Sequence, residues 1–128
     1  MTKERFAQGL TLDQYVGHMS MNRERFVDAM RRTVIGPAAT AVLDRLGRPR
    51  RLLIITEDWC GTSLAHVPFV AKLVESDASI ETRVFLRDEN PDVMDAYLKR
   101  GLYRSIPVFV FFDDEMRELA RFVEQRPQ

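Results

Sequence analysis

The feature that most constrains this chain is a continuous apolar run that ends shortly before its only cysteine. Residues 52–55 read Leu-Leu-Ile-Ile, a run typical of a central strand that is covered on both faces. Cys60 and Gly61 follow after four intervening residues, and apolar residues then recur at helical spacing between Leu64 and Val74. The pattern predicts a strand, a tight turn that Gly61 permits, and a helix that begins just after Cys60.

A cysteine at the start of a helix is a candidate nucleophile. The first amides of a helix are unpaired and carry partial positive charge, and both effects favour thiolate over thiol. We expect the amides of Thr62 and Ser63, which follow the turn at Gly61, to stabilise a thiolate. The Ser63 hydroxyl can also donate a hydrogen bond to the sulfur of Cys60. The alternative is a buried, inert cysteine that packs as a small apolar side chain.

The cysteine count and the charge balance exclude several classes of protein. One cysteine and two histidines leave no internal disulfide framework and too few ligands for a closed structural zinc site. The 19 basic and 19 acidic residues give a net charge of zero, which argues against nucleic acid or an anionic membrane as the main partner. The sequence shows neither a membrane span of roughly 18 apolar residues nor a secretory signal, so we expect a cytoplasmic protein.

The chain divides into a helical first segment and an alternating second one. We expect residues 1–50 to form helices that pack on a core, and residues 51–128 to form that core within a single domain. In the first segment, Thr11 begins a capping box and Asn22 can cap a second helix. Gly36 and Pro37 then end this second helix, and the apolar residues between Ala38 and Leu46 predict a third helix that ends at Gly47.

The second segment predicts a four-stranded mixed sheet. Residues 80–86 alternate in polarity as a strand does, and Asn90 followed by Pro91 is typical of a helix start. Residues 107–112 and 118–123 lie on either side of an acidic turn, which predicts a hairpin. Strands joined through a helix are parallel, whereas the hairpin is antiparallel. We therefore expect an α/β fold of order βαβαββ flanked by helices.

Three separated stretches carry a resemblance to a known family. Residues 59–63 read Trp-Cys-Gly-Thr-Ser, Pro68 lies inside the helix that follows, and Ile106-Pro107 precedes the hairpin. These positions resemble the thioredoxin superfamily, whose active-site run is Trp-Cys-Gly-x-Cys, followed by a helix that contains proline and later by a cis-proline. The resemblance covers about residues 51–127. Three stretches are similar, more narrowly, to bacterial thioredoxin-like proteins of largely unassigned function: residues 54–61, 86–91 and 104–109.

The resemblance implies a thioredoxin-like fold with a substrate groove beside the cysteine. Trp59, Ile106 and Pro107 would line this groove, with the backbone of Ile106 free to pair with an extended polypeptide. Ser63 stands where the family has its second cysteine, and a hydroxyl cannot resolve a mixed disulfide. The resemblance therefore implies a monothiol route, in which glutathione or another small thiol resolves the intermediate at Cys60.

Two further departures from the family concern charge and length. Ile54 stands where thioredoxins carry a buried carboxylate for proton transfer. Glu57 and Asp58 are close enough in sequence to take part of that role, although their charge would oppose a thiolate.

The last predicted strand is followed by only a few residues, so we expect no C-terminal helix. The helices of residues 1–50, or a second copy of the chain in a homodimer, would then have to cover one face of the sheet.

These observations leave three hypotheses. The leading one is a monothiol thiol–disulfide oxidoreductase with Cys60 and Ser63 in its catalytic site, no bound cofactor, and glutathione as co-substrate. Its partners would be proteins or small thiols that carry a disulfide or a glutathione adduct. The second is a peptide-binding module that uses the same groove without turnover. The third follows from the similarity of residues 60–63 to the Cys-Gly-Phe-Ser site of monothiol glutaredoxins, which hold an iron–sulfur cluster with glutathione between two subunits.

Overall fold

The computed structural model describes residues 1–123. The helices, in chain order, are α1 (Lys3–Ala7), α2 (Leu12–His18), α3 (Arg23–Arg32), α4 (Pro37–Arg45), α5 (Gly61–Glu75) and α6 (Pro91–Asp95). The strands are β1 (Arg51–Thr56), β2 (Glu81–Leu86), β3 (Val108–Phe112) and β4 (Glu118–Val123). A 3-10 turn, Arg87–Glu89, follows β2.

The four strands form one mixed sheet in the order β2-β1-β3-β4. β1 pairs with β2 in parallel and with β3 in antiparallel orientation, and β4 completes an antiparallel hairpin with β3. Ile54 of β1 therefore lies opposite Val84 on one side and Phe109 on the other. This arrangement confirms the predicted α/β fold, a four-stranded mixed sheet flanked by helices.

One face of the sheet is covered by α5 together with helices of the N-terminal segment. Leu52 and Ile54 of β1 belong to the buried cluster on this face. Tyr15 and Phe26 meet there edge to face, with ring centroids 5.8 Å apart. Residues 1–50 contribute four buried side chains to the cluster: Tyr15, Met19, Phe26 and Leu43. The N-terminal helices thus supply cover for this face, while the predicted absence of a C-terminal helix concerns residues 124–128, outside the described part of the chain.

The opposite face carries a second buried cluster. Ile55 of β1, Phe6 of α1 and Met94 of α6 belong to it. Arg5 of α1 forms an ion pair with Asp92 of α6 at 3.0 Å, which ties the two short helices together. The sequence patterns do not predict α1, because a helix of five residues is too short to show a helical period.

The outer edge of β2 is partly covered by the segment between α1 and α2. The amide of Leu10 donates to the Val84 carbonyl at 2.9 Å, and the amide of Val84 donates to the Leu10 carbonyl at 2.7 Å. Gly9 permits this close approach, because a Cβ at that position would lie 2.6 Å from Cε2 of Phe85. Unpaired strand edges promote association, so this bridge protects one edge of the sheet.

The asparagine side chains at two helix starts are used differently from the prediction. Thr11 forms the expected capping box at α2. Asn22 lies at the N-cap position of α3 in a left-handed conformation (φ 62°) and makes no capping hydrogen bond; its Nδ2 donates to the carbonyl of Asp58 at 2.8 Å. Asn90 likewise donates to the Leu86 carbonyl at 2.9 Å rather than capping α6. Neither side chain caps the helix that it precedes, and each donates instead to a backbone carbonyl outside that helix.

Candidate functional site

The cysteine loop, residues 57–60, joins β1 to α5. Cys60 is the N-cap residue of α5, with extended backbone (φ −84°, ψ 119°), and its carbonyl accepts a hydrogen bond from the Leu64 amide at 3.0 Å. Its side chain is half-buried and packs against the cluster that contains Ile106. The sulfur therefore lies at the N-terminus of a fifteen-residue helix, between the interior and solvent.

The first turn of α5 makes fewer side-chain hydrogen bonds than the sequence suggested. Ser63 is only 2% exposed, and its Oγ has no hydrogen-bond partner among the described residues. The predicted hydrogen bond from Ser63 to the sulfur of Cys60 is therefore not formed, since Ser63 lies on the buried side of α5 whereas Cys60 is partly open to solvent. The Cys60 side chain makes no capping hydrogen bond. Stabilisation of a thiolate by the first turn, Gly61 and Thr62 included, stays a prediction.

A second buried hydroxyl lies at the end of β1. Thr56 is fully buried, and its Oγ1 interacts with the Tyr15 hydroxyl without forming a hydrogen bond of standard geometry to any described residue. Burial raises the pKa of Tyr15, on α2, to about 12; the nearby Thr56 hydroxyl offsets part of this rise, and the charges of Asp58, Glu57 and Cys60 add to it. A protonated phenol from the N-terminal segment thus lies within electrostatic range of the cysteine loop. The sequence gives no sign of this beyond the place of Tyr15 on an apolar helix face.

Glu57 attaches the cysteine loop to the turn after β2. It is 8% exposed, and its Oε2 accepts a hydrogen bond from the amide of Asp88 at 2.9 Å. Burial raises the pKa of Glu57 above its ordinary 4.5, with the charge of Asp88 adding to the rise and Arg87 opposing it. Glu57 contacts Cys60 through the backbone, where the Cys60 amide donates to the Glu57 carbonyl at 3.4 Å.

Asp58 attaches the other side of the loop to the N-terminal segment. Its Oδ2 accepts hydrogen bonds from the amide of Ser20 at 2.9 Å and from the amide of Met21 at 3.2 Å. Its carbonyl accepts the hydrogen bond from Asn22 described above. These contacts fix the position of the loop from the segment that precedes α3, so the N-terminal helices help to shape the site.

The residues predicted to line a substrate groove differ in exposure. Trp59 is 45% exposed, whereas Ile106 and Pro107 are buried, and the peptide bond between the last two is cis. Arg87 lies over the Trp59 indole, with Cζ 4.9 Å from the ring centroid, and its Nη1 donates to the Arg104 carbonyl at 3.3 Å. Arg87 thus links the cysteine loop to the segment that leads into Pro107. The sequence places Arg87 in a loop after a strand but gives no signal for this stacking.

Within residues 1–123, no group of three or more His, Cys, Asp or Glu side chains is arranged to hold a metal ion. In the same range, none of the helices has the length and apolar character needed to cross a bilayer.

Comparisons with known proteins agree on the fold. Residues 9–128 match a sequence model of the thioredoxin family, whereas no curated protein matches the chain at a significant level. A crystal structure of a protein of unknown function from Pseudomonas aeruginosa is 25% identical, with a TM-score of 0.74 over 96% of this chain and 75% of that one. The crystal structure of an HIV epitope scaffold is 23% identical, with a TM-score of 0.75 over 95% of this chain and 76% of the scaffold.

The two structural neighbours show the fold, and the match to the family model shows the family. The match includes the cysteine loop, α5, and the Ile106–Pro107 turn, which are the places where the sequence resembles thioredoxins. With the mixed sheet and the cysteine at the start of α5, these findings lead to one conclusion: this chain belongs to the thioredoxin family.

Proposed function

We propose that this protein is a monothiol thiol–disulfide oxidoreductase that acts through Cys60. The observation that carries the proposal is the position of its only cysteine, at the N-terminus of α5, partly open to solvent and packed against the cluster that holds Ile106. Membership of the thioredoxin family supports a redox role. Ser63 in place of a second cysteine restricts the chemistry to one thiol.

The proposed reaction consists of two thiol–disulfide exchanges. In the first, the Cys60 thiolate attacks the glutathione sulfur of a protein–glutathione disulfide. The disulfide bond between the protein and glutathione breaks, and the protein thiolate leaves and takes a proton from water. Cys60 is then joined to glutathione by a new disulfide bond. In the second, the thiolate of free glutathione attacks the glutathione sulfur on Cys60, which releases oxidised glutathione and restores the Cys60 thiolate. Glutathione is thus the reductant, and the cytoplasm, where it keeps thiols reduced, is the compartment we propose.

The direct test compares two substrates in the presence of glutathione and glutathione reductase. We expect the protein to reduce a glutathionylated peptide well above background, and Cys60→Ser to abolish that activity. Reduction of the insulin disulfides should stay at background, because no second thiol releases a protein mixed disulfide. Equal rates for wild type and Cys60→Ser on the glutathionylated peptide would show that the proposal is wrong.

A gain-of-function variant sharpens the test. Ser63→Cys restores the Cys-x-x-Cys spacing of the family, and the buried position of Ser63 beside the N-cap suits a resolving thiol. We expect this variant to gain insulin reduction with an external reductant. Ser76→Cys, at the far end of α5, adds a cysteine without that spacing and should gain nothing.

A peptide-binding module is the second candidate, and the exposure of Trp59 favours it. Almost half of this side chain is open, and it is the only tryptophan in the chain, so its fluorescence reports on the groove. A binding module would give a saturable change with an extended, cysteine-free peptide in wild type and Cys60→Ser alike. The oxidoreductase proposal expects no such change without a mixed disulfide.

A further inference from the structure

An arginine side chain lies over the ring of the exposed tryptophan. Arg87, in the turn after β2, places its guanidinium over the Trp59 indole, with Cζ 4.9 Å from the ring centroid. Arginine stacks on aromatic faces because its planar cation is weakly hydrated and is attracted by the ring electrons. The positive charge of Arg87 is therefore held against the ring of Trp59, the residue that precedes Cys60.

Two polar contacts fix the orientation of this guanidinium. Its Nε pairs with Oδ1 of Asp88 at 2.9 Å, and its Nη1 donates to the carbonyl of Arg104 at 3.3 Å. The Arg87 side chain is only 22% exposed, so it is held in place and is not a freely moving surface group. Its third nitrogen, Nη2, makes no hydrogen bond to any described residue.

Each acid that belongs to the cysteine loop or is linked to Arg87, directly or through Arg104, has at least one carboxylate oxygen in a hydrogen bond. Glu57 accepts from a backbone amide, Asp58 accepts from two, and Asp95 accepts from the guanidinium of Arg104. Asp88 faces Arg87 itself. Nη2 of Arg87 is therefore a donor on a cation, held against Trp59 without a partner among the described residues, and such a donor suits an anionic acceptor and not a cationic one.

We propose that Arg87, held against Trp59, binds a carboxylate of the small thiol or disulfide that reacts at Cys60. This inference rests on the proposed function and adds the class of co-substrate: low-molecular-weight thiols that carry a carboxylate. Arg87 acts as a specificity residue and takes no part in the exchange of bonds. The Cys60 thiolate attacks one sulfur of the disulfide, the S–S bond breaks, a mixed disulfide forms, and the departing thiolate takes a proton from water.

The test measures how fast Cys60 forms a mixed disulfide with three probes of different charge. The probes are glutathione disulfide, which is anionic, cystamine, which is cationic, and bis(2-hydroxyethyl) disulfide, which is neutral. Each rate constant is divided by that of the neutral probe, so any general loss of fold or thiol reactivity cancels. In Arg87→Met we expect the relative rate for glutathione disulfide to fall roughly tenfold, the scale of one charge-assisted hydrogen bond, while that for cystamine holds or rises. Arg87→Lys should retain part of the preference.

Arg121 provides a matched control. It also stacks on an aromatic ring, with Cζ 4.7 Å from the Tyr97 centroid, and it pairs with Glu118 at 2.8 Å on β4. Arg121→Met removes the same charge and the same kind of stacking from β4, and it should leave the relative rates unchanged.

The outcomes separate this inference from the proposed function. Relative rates that are the same in wild type and Arg87→Met, or that fall equally in Arg121→Met, would overturn the role of Arg87 while leaving Cys60 an active thiol. Failure of the folded wild-type protein to react with any of the three disulfides would instead overturn the proposed function, and this inference with it.

Discussion

The acids of the cysteine loop and the two buried hydroxyls before and after the loop differ in how their polar groups are used. Within the loop, Glu57 and Asp58 each accept hydrogen bonds from backbone amides in other parts of the chain. On either side of it, Thr56 and Ser63 are buried, and their hydroxyls form no hydrogen bond of standard geometry to any described residue.

This difference shows which groups hold the site in place. The acids connect the loop to the N-terminal segment and to the turn after β2, whereas no side-chain hydrogen bond described here holds the sulfur of Cys60. Removing an acid should therefore leave amides unpaired and cost stability. Removing a buried, unpaired hydroxyl should cost nothing or stabilise the fold, because it eliminates an unfavourable burial.

The largest effect is expected at Asp58. Asp58→Ala removes the acceptor for the amides of Ser20 and Met21, and we expect the free energy of unfolding to fall by about 2 kcal/mol, in the range for hydrogen bonds to a charged group. Urea denaturation measures this change. Asp58→Asn keeps one acceptor oxygen and should lose less; equal stability of Asp58→Ala and wild type would remove the anchoring role.

The next effect depends on pH and concerns Glu57. Because burial raises the pKa of Glu57 in the folded protein above its ordinary 4.5, the folded state holds the proton more tightly than the unfolded state. Its contribution to stability is then present in acid and is lost as the pH rises from 4.5 through the folded pKa. Glu57→Gln should abolish this loss, whose slope is at most about 1.4 kcal/mol per pH unit for a single proton.

Urea denaturation of wild type and Glu57→Gln at pH 5, 6, 7 and 8 separates this contribution from that of other titrating groups. The stability of the wild type relative to Glu57→Gln should decrease as the pH rises. Glu24→Gln, an exposed acid on α3, is the matched control and should give a constant difference. A constant difference for Glu57→Gln as well would contradict the buried-carboxyl account.

The smallest effect, and one of opposite sign, is expected at Ser63. Ser63→Ala removes a buried hydroxyl without a partner and should leave the free energy of unfolding unchanged or raise it by up to about 1 kcal/mol. Ser79 is the control, because its Oγ bonds Asp77 at 2.6 Å and Arg50 at 3.1 Å. Ser79→Ala should be destabilising, and a comparable loss in Ser63→Ala would reveal a hydrogen bond that this account denies.

The sheet and α5 could be predicted because their signals are local and strong. Apolar runs, alternation and an acidic turn give β1, β2 and the hairpin nearly at their observed bounds, and Gly61 after Cys60 gives the start of α5. The position of the cysteine at a helix N-terminus followed directly. The resemblance to thioredoxins added Ile106 and Pro107, which no local pattern connects to Cys60.

The contacts that hold the site could not be predicted, because they join residues far apart in the chain. Asn22 looked like a helix cap but bonds the carbonyl of Asp58. No pattern in the sequence connects Arg87, which follows the second strand, to Trp59, on which it lies. Ser63 looked like a partner for the thiolate because of its spacing alone, yet its side chain is on the buried side of α5. Sequence spacing gives the position of a residue along a helix, whereas tertiary packing decides what its side chain meets.

The measurement that tests the central claim most directly is the reaction rate of Cys60 with glutathione disulfide at pH 7 in the folded and in the urea-unfolded chain. The account predicts that folding accelerates the reaction roughly three- to tenfold, because the folded chain holds the sulfur at a helix N-terminus and partly open to solvent. Ser63→Ala should show the same acceleration as wild type. A folded protein that reacts more slowly than the unfolded chain would contradict the claim that this fold activates its cysteine.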